Sequence, residues 1–198
     1  DVTTAGAMLE FDTQDNSYNY CVAIDDNHVI NFWAGPGNDG FVQTFTINTS
    51  TWAVTTAAAS LEFDAGSGNY NKAIKIDDNH FLHNWTNSGS DGKAQVFVVN
   101  TSTWAVTTAG ADFTYDSTYG LYPTVILVDS NHILNVYRGG AAANNLYANV
   151  LAINTSTWAV TTAAASLSLS SSAAGSMYFD KALGQIDATH YILFYSYA

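Results

Sequence analysis

Asn48-Thr49-Ser50-Thr51-Trp52-Ala53-Val54-Thr55-Thr56 recurs unchanged at Asn100 to Thr108 and at Asn154 to Thr162, so the tryptophans stand 52 and then 54 residues apart. A second anchor surrounds it. Asp25-Asp26-Asn27-His28 returns as Asp77-Asp78-Asn79-His80, as Asp129-Ser130-Asn131-His132 and, degraded, as Asp187-Ala188-Thr189-His190, with histidine steps of 52, 52 and 58 residues. A period of about fifty residues is in the range of propeller blades.

Within one unit the apolar pattern has period two. Val22 and Ile24, Ile74 and Ile76, Ile126 and Val128, and Ile186 mark one face of a first strand. The Asp-Asp-Asn triplet supplies turn chemistry, because short Asx side chains bond nearby backbone. His28 to Trp33, His80 to Trp85, His132 to Tyr137 and His190 to Tyr195 then read as a second strand closing a hairpin. Beyond a Gly- and Asp-rich loop, Phe41 to Ile47, Ala94 to Val99 and Tyr147 to Ile153 form the third, with Phe45, Phe97 and Leu151 facing inward. Asn-Thr-Ser is the next turn. The fourth strand is expected to start at Trp52, Trp104 or Trp158 and to run toward Leu61-Glu62-Phe63-Asp64 and its equivalents. The same reading expects the three tryptophans to be mostly buried.

A four-stranded antiparallel unit of this length cannot bury both faces alone, and stacking units around an axis solves that. The expected fold is all-β, a β-propeller of four-stranded antiparallel blades. Tandem sandwiches and a β-solenoid are the competing architectures. Val2-Thr3-Thr4-Ala5 aligns with Val54-Thr55-Thr56-Ala57, so residues 1–198 read as one propeller domain: a leading strand, three full units and two further strands. That makes about four blades with incomplete ends. Starting and stopping inside a unit, without an initiator Met, is what a piece of a longer array would show. Open blade edges make a homo-oligomer the expected self-contact.

The Asn-Thr-Ser-Thr-Trp-Ala-Val-Thr-Thr runs and the Asp-x-Asn-His anchors resemble those of uncharacterised β-propeller repeat proteins of environmental bacteria and their phages. The resemblance covers nearly the whole chain and implies the fold, with no established activity attached. An extracellular or virion-associated placement goes with it. More distantly, the plan is similar to lectin-type propellers.

Five basic residues against 17 acidic ones give a net charge of −12, a field that repels phosphate backbones and anionic lipid headgroups. Neither nucleic acid nor membrane is therefore an expected partner. No apolar run reaches the roughly 18 residues of a membrane-spanning helix, and no signal peptide is visible. Cys21, the single cysteine, has no internal partner and reads as a small strand residue.

The repeated histidines follow a turn in every unit, which points to a structural role rather than a metal site. No calcium-loop series, nucleotide-binding fingerprint or hydrolase motif occurs, and neither metal, cofactor nor catalytic residue is expected. The carboxylates follow the repeat, whereas an active site usually breaks it. Asn48, Asn100, Asn154 and Asn84 match the glycosylation pattern, which turn formation explains for the three repeated ones.

Trp33, Trp85, Tyr137 and Tyr195 occupy one position, at the end of the second strand beside a polar loop. Flat rings with a hydrogen-bonding edge suit stacking on sugars, and Asn31, His83, Asn135, Asp39 and Asp91 could bond hydroxyls. The opposing reading has these aromatics filling the space between blades. With Ala143 at the loop Asp position, the third unit should bind worst. The expectation is a non-enzymatic, multivalent recognition module for glycans or a surface ligand, weak sites adding through avidity. The alternative is a structural or protein-interaction scaffold without a small-molecule site.

Overall fold

The computed structural model describes residues 6–14, 16–140, 145–170 and 183–194. Ala143, Tyr195 and the aligned stretch Val2 to Ala5 lie outside the described residues.

The first sheet consists of β1 (Ser17–Ala23), β2 (His28–Ala34), β3 (Gly40–Ile47), β4 (Val54–Thr56) and β5 (Leu61–Asp64). The second repeats it as β6 (Asn69–Lys75), β7 (His80–Thr86), β8 (Gly92–Val99), β9 (Val106–Thr108) and β10 (Phe113–Asp116). The third holds β11 (Leu121–Leu127), β12 (His132–Gly139), β13 (Asn145–Ile153) and β14 (Val160–Ser170), and a final hairpin pairs β15 (Leu183–Gln185) with β16 (Tyr191–Leu193). All pairing is antiparallel, in sequence order, and the only helical turn among the described residues is Pro36–Asn38. Among the described residues the protein is an all-β arc of propeller blades, three full sheets and a two-stranded hairpin of a fourth.

The fourth strand differs from its expected form. In the first two blades it is two short pieces on the same edge, β4 and β5 on β3, β9 and β10 on β8. In the third blade it is the single strand β14, with three irregularities of register. The tryptophans do not begin it. Asn48 Oδ1 accepts the Ser50 and Thr51 N–H groups, Asn48 N–H bonds Ala53 O, and Trp52 closes the loop with φ 57°. Trp104 and Trp158 do the same at φ 60° and 58°. Left-handed backbone is a sparse choice for a bulky residue. The expected burial is also corrected: Trp52 is 55% exposed, and Trp104 and Trp158 are half-buried.

What these rings do is join blades. Trp104 of the second blade stacks on His28 of the first, centroids 3.4 Å apart and planes within 18°. Trp158 of the third stacks on His80 of the second at 3.6 Å and 17°. The histidine is presented by its turn: Asp25 Oδ1 accepts the Asn27 and His28 N–H groups while the carboxylate meets His28 Nδ1 at 2.9 Å. Asp77–His80, Asp129–His132 and Asp187–His190 repeat this pair. The structural role read for these histidines is what the geometry shows.

The core between blades follows the same register. Ile24, Ile30, Phe32 and Val42 on the back of the first sheet meet Ala73, Phe81, Phe97, Val99 and Val106 on the front of the second. Leu82 and Ala94, the equivalents of Ile30 and Val42, then meet Ile133, Leu151, Ile153 and Val160, the equivalents of Phe81, Phe97, Val99 and Val106. Alternate residues of an interior strand therefore serve two different neighbours, and neither face sees water. Glycine sets the spacing at one point in each junction. A Cβ on Gly68 would lie 2.4 Å from Gly40 Cα, and one on Gly120 would lie 2.2 Å from Gly92 Cα. Only a bare backbone fits so close an approach.

Candidate functional site

Trp33, Trp85 and Tyr137 are 3%, 2% and 1% exposed, so the aromatic position at the end of the second strand is sealed between blades. Each ring meets the fourth-strand segment of the preceding unit, 21 residues upstream. Trp33 Nε1–H donates to Asp12 Oδ2 at 3.0 Å and Trp85 Nε1–H to Asp64 Oδ2 at 2.8 Å. Phe11 and Phe63 pack edge-on against these indoles at 5.2 Å, and Tyr115 against Tyr137 at 4.9 Å. Burial pushes the Tyr137 phenol up to about 12, with the Ser166 hydroxyl 3.0 Å from its oxygen acting in the opposite direction. No sugar can stack on these faces while the blades are in contact. Their role as surface platforms is replaced by a joint.

The expected hydrogen-bonding partners are buried with them. Asn31 Nδ2 donates to Asn19 Oδ1 at 3.1 Å, and His83 Nε2 lies 2.9 Å from Asn71 Oδ1, the equivalent bond one blade on. Asn135 accepts from Asn84 Nδ2 at 3.2 Å and donates to Asn149 Oδ1 at 3.1 Å, a polar seam between the second and third sheets. The same pair of positions in the first junction is aromatic: Phe32 stacks on His83, centroids 4.1 Å apart. Asp39 and Asp91 are half-buried in their loops, and Asp91 is engaged by Asn87, whose Nδ2 donates to Asp91 Oδ2 at 3.2 Å.

A different repeated position carries the unusual geometry. Tyr18, Tyr70 and Tyr122, spaced by 52 residues at the starts of β1, β6 and β11, have φ of 53°, 55° and 50°. Each sits at a register shift against the neighbouring strand, Ser17 to Tyr20, Asn69 to Lys72 and Leu121 to Thr124. These are β-bulges, which re-aim side chains at the rim of a sheet. Here they bring three rings from three blades into one row. Tyr18 and Tyr70 are 4.6 Å apart, Tyr70 and Tyr122 4.1 Å. Burial, then hydrogen bonding to the Tyr122 and Tyr18 hydroxyls, pushes the Tyr70 phenol well above its ordinary value. Lys72 Nζ stands 4.6 Å from the Tyr20 ring and the Arg138 guanidinium 5.8 Å from the Tyr122 ring. Two of the chain's five basic residues thus lie beside tyrosines of the adjoining strands β1 and β11.

Left-handed backbone at three bulky residues costs free energy at each, and such strain persists where the surrounding structure over-determines it. The row is absent from a reading based on strand alternation, where tyrosine is an ordinary strand residue. The recurrence of Tyr at 18, 70 and 122 was the signal available to find it.

No protein-family model and no curated protein matches the chain. Among solved structures, it is similar to the "putative 6-phosphogluconolactonase" of Bacteroides fragilis, with a TM-score of 0.49 and 11% identity, over 70% of this chain. The match spans 36% of that protein's length.

Proposed function

We propose that this propeller arc is a non-enzymatic recognition module that contacts its ligand through the tyrosine row at the starts of β1, β6 and β11. The observation that carries the reading is the left-handed backbone of Tyr18, Tyr70 and Tyr122, a cost repeated in each of the first three blades to set three rings and their hydroxyls side by side. Flat rings bearing hydroxyls suit the C–H faces and hydroxyl edges of glycans, or a surface ligand of the same chemistry. The rings touch at interplanar angles of 64° and 44°, so they make one continuous aromatic row rather than a separate site on each blade. Isothermal titration with mono- and oligosaccharides tests this. Saturable binding that Tyr18→Ala weakens at least tenfold, with unchanged circular dichroism, supports it. Titrations that stay flat across a broad glycan panel would refute the glycan reading.

The second reading is a scaffold without a small-molecule site. It is favoured by the sealing of Trp33, Trp85 and Tyr137, which commits the remaining repeated aromatics to joining blades.

A further inference from the structure

The two ends of the arc expose complementary halves of the junction that the interior blades make twice. On the front of the first sheet, Val29, Ile47 and Val54 are only half-buried and Cys21 is exposed, around an open apolar hollow of about 320 Å³. Their equivalents in the second sheet, Phe81, Val99, Val106 and Ala73, are covered by Ile24, Ile30 and Phe32 of the blade before. At the other end, Ile186, Ile192 and Phe194 are the repeat equivalents of those three covering residues. They stand 64%, 39% and 66% exposed. The stacking pair is split in the same way. Trp52 has no histidine against its exposed indole, and His190, held by Asp187, is the exposed equivalent of His28 and His80.

We infer that the back of the β15–β16 hairpin docks on the front of the first sheet of a second copy of this chain. The contact reproduces the interior junction: His190 on Trp52, and Ile186, Ile192 and Phe194 over Val29, Ile47 and Val54. It is a heterologous contact between two different surfaces, distinct from pairing of strand edges, and it leaves one of each surface free on a dimer for further addition or ring closure. Residues 6–14 already occupy the place of a preceding fourth strand, as the Asp12–Trp33 bond shows by its likeness to Asp64–Trp85. The arriving hairpin supplies first and second strands, and the place of a third strand stays open between them and residues 6–14. Burial of apolar surface drives the contact, while the charge of −12 on each copy opposes it, so association strengthens as salt is raised. The inference is independent of whether the tyrosine row binds a glycan.

Two variants at exposed positions test the polarity of the contact: Trp52→Asp blocks the front, and Phe194→Asp blocks the back. Circular dichroism first establishes that both fold. In sedimentation velocity, the parent chain is expected to form concentration-dependent oligomers, each variant alone to be monomeric, and an equimolar mixture to form a 1:1 dimer and nothing larger. A parent chain that stays monomeric at all concentrations, including by closing on itself with Trp52 shielded from fluorescence quenchers, overturns the inference. So does a mixture that stays monomeric, or a single variant that still self-associates.

Discussion

His83 shows how one side chain acquires a different chemistry from its repeat equivalents. Asn31 and Asn135 stand at the same position, but the imidazole lies fully buried between Phe32 and Trp85, with ring centroids 4.1 and 5.1 Å away. Nε2 donates to Asn71 Oδ1, Nδ1 has no partner, and burial holds the pKa well below its ordinary value. The folded protein therefore keeps this ring neutral at pH values where the unfolded chain protonates it, near 6.5. Stability is expected to fall as pH drops below about 6.5, with a limiting slope of ~1.4 kcal/mol per pH unit from this group. Urea denaturation at several pH values measures the slope, and His83→Asn should flatten it. The paired aspartates act in a separate window. Hydrogen bonds from the Asn131 N–H and the His132 ring hold the Asp129 carboxyl below its ordinary range. That contribution is present above about pH 3.9 and is lost as pH falls through the lower folded value. The Asx turns around Asp25 and Asn48 were legible in the sequence because all their bonds are local. The position of Trp104 was not, since its partner is His28, 76 residues away.

At the scale of the element, the strands were legible wherever period-two alternation and turn residues agreed. β2, β7 and β12 begin at the histidines that the pattern marks. Alternation does not decide which face is wet, because both faces of an interior blade are covered, and so the sequence leaves Trp33 and Trp85 open between a sugar platform and a filler between blades. They seal joints. Trp85→Phe removes the donor to Asp64 Oδ2 and shrinks a fully buried ring, so it should cost at least about 1–3 kcal/mol. Thermal melting measures this loss, and an unchanged melting temperature would show the bond to be worth nothing. Gly120→Ala is a more severe test. Its methyl group would meet the backbone of Gly92, which cannot turn aside as a side chain could. Overpacking of this kind costs roughly 1–3 kcal/mol or more, and Gly110→Ala, opposed by the Trp158 carbonyl, should behave similarly. Gly68 and Gly120 stand two residues before the bulges at Tyr70 and Tyr122, but the bulge at Tyr18 has no such breaker before it. The signal common to all three is their equal spacing.

Across the whole molecule, the protein is a one-dimensional stack in which each blade answers only to its neighbours. The second sheet is packed on both faces and the β15–β16 hairpin on one, so amide exchange should be slowest in β7 and β8 and fastest among the strands in β15 and β16. Hydrogen exchange read by mass spectrometry checks this, and uniform protection along the chain would contradict a stack of separable units. The repeat made the number and order of blades legible, but the chemistry of each junction was not, because it depends on pairs such as Phe32–His83 and Asn84–Asn135 that lie on different units. The recurring His–Trp stack and the glycine approach have an evolutionary consequence. A gene segment encoding 52 residues, copied in frame by unequal recombination, would yield a polypeptide insert whose His–Trp stack and glycine contacts already fit what lies on either side. Blade number is thus a trait that a single DNA rearrangement can change, with only the central pair of each new junction left to adapt.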